Sequence, residues 1–289
     1  MSLLDDCEHL LARGLRELWP LAAVLARKTS GRLMGGTALA LHLRHRASED
    51  LDIMTLKDFS GRSLRRQMHE HLDKAFPAGH SYEQEVLTSE TGGYFALIGG
   101  VKVDVFQARP SEERQPSQMK WLEKPISVDK VPVGSIPDIL ATKLDVIMYR
   151  PKLRDYIDVA SIDQMSNYSL EDGIEFYKRK FDYADDPNPR ILKRIAGLLA
   201  DPGQLQVDPR FEARRDDVLA HLEQRAPQVL EYIADTSDKE SRKAVDAASD
   251  LGMPRLAPVP NSKCGAWMPR ARTYCALPPH DEGPHRTRR

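Results

Sequence analysis

A glycine turn followed closely by two aspartates limits most strongly what this chain can fold into. Gly35, Gly36 and Thr37 predict a tight turn that leads into a helix, and Asp50 and Asp52 lie in an apolar strand pattern. Glycine lets backbone N–H groups approach phosphate oxygens, and a helix N-terminus favours negative charge. Carboxylates two residues apart in a strand face one side and repel each other unless a cation lies between them. Hard oxygen ligands of this kind suit Mg²⁺.

A third carboxylate completes the pattern further along the chain. After the glycine pair at 99–100, residues 101–106 read Val-Lys-Val-Asp-Val-Phe, an alternating strand that carries Asp104. If this strand pairs beside the strand of Asp50 and Asp52, the three carboxylates converge on one metal site. An isolated Asp-x-Asp pair is weak evidence, because surface strands often carry one, whereas the ordered set is strong.

These motifs together resemble the nucleotidyltransferase fold, whose signature is a Gly-Gly or Gly-Ser turn, an Asp-x-Asp strand and a later Asp strand. More narrowly, the sequence is similar to the AbiEii/AbiGii toxin family of nucleotidyltransferases. This similarity is found in the run 35–41, Arg46, Ser48 and the Asp-x-Asp segment 50–52. The resemblance covers about residues 33–162. It implies an α/β (α+β) fold with a mixed sheet flanked by helices, and it implies that Arg46 contributes to nucleotide binding.

The similarity continues into a helix that Ser135 is predicted to cap. Lys143 lies in this helix, and an Arg-Asp-x-x-Asp segment with Asp155 and Asp158 follows after Pro151. Family members commonly have a Lys-Leu segment and then an Arg/Lys-Asp-x-x-Asp segment here. By resemblance, Lys143 binds the triphosphate, and Asp158, with Asp155, supports the nucleotide site.

The implied reaction is nucleotidyl transfer, in which an acceptor oxygen attacks the α-phosphate of a nucleoside triphosphate and pyrophosphate leaves. Two Mg²⁺ ions can hold both oxygens of such a displacement. We expect Asp50 and Asp52 to be metal ligands, and Asp104 to be a ligand that also favours deprotonation of the acceptor hydroxyl. Lys143 would neutralise the leaving group. The phosphates would be cradled by Gly35, Gly36 and Thr37.

Four segments are predicted along the chain. Residues 1–135 form the catalytic core, residues 136–234 a helical domain that completes the cleft, residues 235–262 a polar and proline-rich linker, and residues 263–289 a basic Cys/His tail. Within the core we expect a helix around 64–72 and a meander of strands at 82–87, 94–98 and 101–106, joined by tight turns at the glycine pairs 92–93 and 99–100.

The tail contains two cysteines and two histidines, a complete tetrahedral set for zinc. The spacing is irregular, since ten residues separate the cysteines, and Arg286, Arg288 and Arg289 support the alternative of a disordered basic tail. We favour a structural Zn²⁺ or an RNA-docking element, since four possible ligands fall in a short stretch of a cysteine-poor chain. The expected ligands are Cys264, Cys275, His280 and His285.

Composition places the chain among globular proteins of the cytoplasm. Its net charge is −1, it has only 3 cysteines, and no apolar run is long enough to span a bilayer. Contacts to RNA must therefore come from local basic clusters, and we favour the one at 44–46 over a second at 62–66. His42 and His45 are interpreted as packing or surface residues.

The sequence leaves the acceptor and the nucleotide base open. The family resemblance implies a toxin restrained by a separately encoded antitoxin, with transfer RNA a plausible acceptor. One alternative is a small-molecule nucleotidyltransferase of the antibiotic-modifying type, which would use the same carboxylates. Another is a non-catalytic nucleotide- or RNA-binding protein of the same fold.

Overall fold

A mixed six-stranded sheet forms the centre of the described part of the chain. The computed structural model describes residues 7–57, 93–108, 119–181 and 189–250. The strand order is β3-β4-β2-β1-β6-β5. The strands are β1 (Arg32–Met34), β2 (Leu51–Thr55), β3 (Gly93–Ile98), β4 (Val101–Gln107), β5 (Ile126–Val128) and β6 (Val131–Val133).

Parallel and antiparallel pairs alternate across this sheet. β1 runs antiparallel to β2 and parallel to β6, and β2 runs parallel to β4. The outer pairs β3–β4 and β5–β6 are antiparallel. The predicted mixed sheet is therefore confirmed, and so is the predicted pairing of the Asp-x-Asp strand with the strand of Asp104, because Asp52 lies opposite Asp104 in the β2–β4 register.

The predicted tight turn between β3 and β4 is also present. Gly99 and Gly100 both have positive φ, at 56° and 80°. Two consecutive residues of this kind suit the two-residue turns that join strands, and glycine adopts them without a Cβ clash. The first strand predicted for this meander, at 82–87, and the predicted helix at 64–72 lie outside the described residues.

Helices pack against the sheet and make up most of the C-terminal half. Short 3₁₀ segments occur at Glu8–Leu10 and Pro209–Arg214. The helices are α1 (Arg13–Glu17), α2 (Trp19–Thr29), α3 (Gly35–Leu43), α4 (Ile136–Val146), α5 (Leu153–Met165), α6 (Leu170–Phe181), α7 (Arg190–Ala200) and α8 (Arg215–Asp250).

The predicted helix start at Ser135 is confirmed. The Asp138 backbone N–H donates to Ser135 Oγ at 3.3 Å, and Pro137 lies in the first turn, where a missing N–H costs no helical bond. This start matters because α4 carries Lys143. The cap therefore fixes the register of a predicted site residue.

The core lies between the sheet and the helices. α2 packs against β2 and β6, and α3 packs against α4 and α5. Leu25, Leu33, Ile53, Val103 and Leu144 are among its fully buried side chains. Burying side chains of this size contributes about 1.5 to 3 kcal/mol each, which is the main force holding these elements together.

The segment predicted as a linker begins as a helix. α8 continues to Asp250, through the first part of the polar stretch 235–262. Residues 235–250 include Ala and Lys, which favour helix, and a polar helix and a polar linker have similar compositions. Contacts divide the chain into one compact unit up to Arg242 and a second unit from Lys243. No helix in the described ranges has the length and apolarity needed to cross a membrane.

Candidate active site

The three predicted metal-binding aspartates line one cavity of about 250 Å³. Asp52 comes from β2 and Asp104 from the neighbouring β4, and Asp50 directly precedes β2. The structure thus brings together carboxylates that lie far apart in sequence. Their cavity is also lined by Gly35, Gly36, Arg46, Ser48, Lys102, Phe106, Ile139, Lys143, Arg150, Arg154 and Asp155, among others.

The environment of Asp52 and Asp104 opposes their ionisation. Burial and then the charges of Asp104 and Asp50 raise the pKa of Asp52 to about 6. Burial also raises the pKa of Asp104, against the opposing effect of Lys102. Desolvation and like-charge repulsion both disfavour a carboxylate, and a cation between the groups relieves both.

These carboxylates fit a divalent cation, although the described residues contain no group of three acidic, histidine or cysteine side chains arranged as a metal cage. Asp104 Oδ1 is buried and has no hydrogen-bond partner. Mg²⁺ usually takes one or two carboxylates and completes its shell with phosphate oxygens and water. Asp52 and Asp104, in register on adjacent strands, provide such a pair.

The glycine turn is required by the close approach of two site side chains. Gly35 has φ of 69°, and a Cβ at this residue would overlap with Asp52 Oδ2. A Cβ at Gly36 would overlap with Arg46 Nη2. The helix begins at Gly35, so both glycines lie in its first turn. N–H groups in this turn have no intrahelical partner.

Thr37 holds the aspartate loop instead of facing the cavity with its side chain. Its Oγ1 lies 2.5 Å from the backbone oxygen of Asp50 and 2.9 Å from Ser48 Oγ. The Thr37 side chain is fully buried. Its hydroxyl therefore fixes where Asp50 enters the site, and Thr37 is not among the residues that line the cavity.

Lys143 lies in a buried ion network behind the aspartates. Its Nζ is 2.6 Å from Asp155 Oδ1 and 2.6 Å from Asp158 Oδ2. Arg46 donates to both Asp158 oxygens, with Nε to Oδ1 at 2.6 Å and Nη2 to Oδ2 at 2.9 Å. Lys143, Arg46 and His45 hold the pKa of Asp158 well below its usual range despite burial. Burial by itself lowers the pKa of Lys143, but the two carboxylates raise it overall.

The two histidines are packing residues, as the sequence indicated. His45 Nε2 lies 2.8 Å from Asp158 Oδ1, while its Nδ1 is buried without a partner. Burial lowers the pKa of His45. His42 Nε2 lies 2.8 Å from the backbone oxygen of Gly134, and burial lowers its pKa too.

With this geometry established, the comparison with known families decides the assignment. The family model of the nucleotidyl transferase AbiEii toxins of type IV toxin–antitoxin systems matches residues 27–249. The chain belongs to this family. The resemblance inferred from the motifs is thereby confirmed, and the chain is a nucleotidyltransferase of the AbiEii toxin type.

A search of solved structures also matches a nucleotidyltransferase toxin. MenT4 from Mycobacterium tuberculosis H37Rv aligns with 81% of this AbiEii-family chain and 93% of its own, at 16% identity and a TM-score of 0.39. Among curated protein sequences no match is found.

The structure corrects the prediction that residues 44–46 form an RNA-contacting patch. Arg44 is exposed, but the side chains of His45 and Arg46 are almost completely buried against Asp158. A buried carboxylate is costly unless cationic partners compensate its charge, so these basic residues turn inward. The second basic cluster, at 62–66, lies outside the described residues, as do the tail residues Cys264, Cys275, His280 and His285.

Two cations at the cavity were not singled out from the sequence. Lys102 pairs with Asp104 Oδ2, and Arg154 Nη1 lies 3.2 Å from Asp50 Oδ2. Alternation within β4 could have identified Lys102, because residues two apart in a strand share a face. No local signal connects Arg154 with Asp50, since 104 residues separate them.

Proposed function

We propose that this protein transfers a nucleoside monophosphate from a nucleoside triphosphate to RNA in a Mg²⁺-dependent reaction. The observation that carries the proposal is the register of Asp52 opposite Asp104 in one cavity, with Asp50 and the Gly35–Gly36 turn beside them. A purely binding function does not require this combination. Transfer of a nucleotidyl group requires both a carboxylate pair and a place for phosphates.

In this proposal Asp52 and Asp104 hold Mg²⁺, with Asp50 as a further ligand. The ion would supply charge stabilisation to the transferred phosphoryl group. The acceptor hydroxyl has to lose its proton, and in this proposal Asp104, as a ligand of the ion, would favour that loss. Thr37 keeps Asp50 in position through its bond to the backbone.

The glycine turn and Lys143 would bind the phosphates. N–H groups at the start of α3 face a site in which negative charge is favoured by the helix end. Lys143 would oppose the charge that builds up on pyrophosphate as it leaves. Asp155 and Asp158 support this role because they fix the ammonium in a defined place.

Lys143 can be tested by separating turnover from binding. Replacement by alanine should lower kcat strongly, since a charge that opposes the leaving group matters most in the transition state. Lys143→Arg should restore only part of kcat, because a planar guanidinium differs from a compact ammonium. A raised KM with unchanged kcat would instead make Lys143 a uniform binder of the triphosphate.

The proposed acceptor is RNA, and transfer RNA is the first substrate to test. The proposed site of action is the cytoplasm. Membership of a toxin family supports this, and so do the partly exposed cations at the cavity, Lys102, Arg150 and Arg154. A cognate antitoxin protein is the expected partner. A net charge of −1 means that attraction of RNA would depend on these local charges.

The decisive experiment incubates the purified protein with each labelled nucleoside triphosphate, Mg²⁺ and total cellular RNA. Label should appear in RNA with wild type and not with Asp52→Asn, while Asp216→Asn on the exposed face of α8 should behave as wild type. The stability of Asp52→Asn should hold or rise slightly, because one repelling charge is removed. Near-normal transfer by Asp52→Asn at saturating Mg²⁺ would contradict the metal assignment.

Other outcomes separate the alternatives. Label in a small molecule but not in RNA would favour an antibiotic-type nucleotidyltransferase. No label in any acceptor or in the protein would favour a binding role. Expression in a host without the antitoxin should arrest growth for wild type but not for Asp50→Ala, and equal effects of the two would rule out toxicity through nucleotide transfer.

A further inference from the structure

The carboxylates at the cavity are already paired with cations from two different elements. Lys102 Nζ binds Asp104 Oδ2 from two residues away on β4. Arg154, on α5, binds Asp50 Oδ2 with Nη1 at 3.2 Å. Both cations line the cavity. An oxygen that accepts a salt bridge from an ammonium or guanidinium group cannot at the same time give that lone pair to a divalent cation.

These two cations differ from the buried ones in their freedom to move. The side chains of Lys102 and Arg154 are 51% and 30% exposed, whereas that of Lys143 is 8% exposed and bound to two carboxylates. Arg46 is similarly fixed by its two bonds to Asp158. Long, partly exposed side chains with one carboxylate partner can change partners at little cost.

The neighbourhood of Lys102 and Arg154 is crowded with positive charge. Burial lowers the pKa of Lys152, and Arg150, Arg154 and Lys102 lower it further, because they lie close to it. Arg150 also lines the cavity. Such crowding is unfavourable unless anions are nearby. In the structure the nearby anions are the carboxylates of the site itself, and a polyphosphate would neutralise the same positive charges.

We propose that Lys102 and Arg154 form a triphosphate-binding subsite by exchanging partners: they bind Asp104 and Asp50 in the nucleotide-free protein and transfer to phosphate oxygens when a metal-bound triphosphate enters. This inference rests on the proposed nucleotidyl transfer at the same cavity. The exchange of partners gives Lys102 and Arg154 opposite effects on the binding of a divalent cation and of a triphosphate. They compete with a divalent cation for carboxylate oxygens, and they attract the triphosphate.

The test measures each ligand separately, without catalysis. Mn²⁺ binding in the absence of nucleotide is followed by electron paramagnetic resonance, and binding of inorganic tripolyphosphate with Mg²⁺ by calorimetry. Lys102→Met and Arg154→Met should each bind Mn²⁺ several-fold more tightly, because a competitor is removed. Each should bind magnesium tripolyphosphate about tenfold more weakly, the usual effect of losing a charge-assisted hydrogen bond. Arg154→Lys should retain most tripolyphosphate affinity.

Lys152→Met is the matched control, since it removes a charge from the same patch and Lys152 forms no ion pair within the described ranges. Its effects on both ligands should be clearly smaller. Equal effects of Lys152→Met and Lys102→Met would overturn the exchange, because a general loss of charge would then explain both. Unchanged tripolyphosphate affinity in both Met variants would overturn it as well.

Failure of the exchange differs measurably from failure of the proposed function. If wild type binds Mn²⁺ and magnesium tripolyphosphate but the variants match the control, only the exchange is wrong. If wild type binds neither, the metal site and the exchange are both wrong. Circular dichroism melting of each variant checks that it is folded, and Lys102→Gln and Arg154→Gln replace any Met variant that is not.

Discussion

Replacing Asp158 with asparagine should destabilise the protein strongly, because this fully buried carboxylate binds three basic side chains. It accepts hydrogen bonds from Arg46 at 2.6 and 2.9 Å and lies 2.8 Å from His45 Nε2 and 2.6 Å from Lys143 Nζ. Asparagine has nearly the same shape. It removes the negative charge, however, and its NH₂ group faces a donor where an oxygen accepted before.

The expected loss is about 3 to 5 kcal/mol of unfolding free energy, the usual cost of removing one partner from a buried ion network. Asp155 provides the internal comparison. It is also buried, but it accepts one hydrogen bond from Lys143, its contact with Arg150 Nε is 3.6 Å long, and its Oδ2 has no hydrogen-bond partner. Asp155→Asn should therefore cost less, about 1 to 3 kcal/mol.

Urea unfolding followed by circular dichroism measures both losses, and pH gives a second check on Asp158. Its pKa is lowered on folding, so its stabilisation is fully present above the unfolded value of about 3.9 and is lost as pH falls through the lower folded value. The difference in unfolding free energy between wild type and Asp158→Asn should be constant from pH 7 to 5 and should become smaller only below about pH 4. The reasoning would be refuted if Asp158→Asn lowered the unfolding free energy by less than about 1 kcal/mol at pH 7. It would also be refuted if Asp155→Asn lowered the unfolding free energy more than Asp158→Asn does.

Two other predictions come from the structure, and a third comes from the sequence of the tail. Gly35→Ala should reduce nucleotide transfer far more than Gly100→Ala, since both glycines have positive φ but only the first would place its Cβ against Asp52; equal activities would contradict this. Asp145→Asn should raise the unfolding free energy at pH 7 by about 1 to 2 kcal/mol, because burial raises the pKa of Asp145 to about 6. Ionisation of Asp145 therefore makes the wild type less stable as pH rises from about 4 to 6. Urea titrations should show that this fall in unfolding free energy with pH is absent from the variant. Elemental analysis should find one zinc per chain bound by the tail 263–289, and freely reactive tail thiols without zinc would favour a disordered tail.

Local patterns were sufficient to predict the elements that carry the site. Alternation around Asp104 predicted β4, the glycine pair at 99–100 predicted its turn, and Ser135 predicted the start of α4. Each of these signals depends on residues within a few positions of one another. Backbone geometry and hydrogen-bond capping act over that range, so one sequence contains the necessary information.

Partners distant in sequence could not be predicted in the same way. The run 44–46 predicts a basic surface cluster, yet Arg46 and His45 turn inward because Asp158, more than 100 residues away, is buried beside them. Only the complete fold determines which charges lose their water. The helix through 235–250 was missed for a different reason, since a polar composition is compatible with both an exposed helix and a linker.

The two groups of aspartates at this site differ in a way that indicates different functions. Asp158 has every oxygen bound by basic groups, and its pKa is lowered. Asp52 and Asp104 have raised pKa values, and one Asp104 oxygen has no hydrogen-bond partner. A carboxylate whose charge is already compensated gains little from another cation, whereas repelling carboxylates gain much. A divalent cation should therefore bind at Asp52 and Asp104, while Asp158 holds Lys143 in the buried ion network.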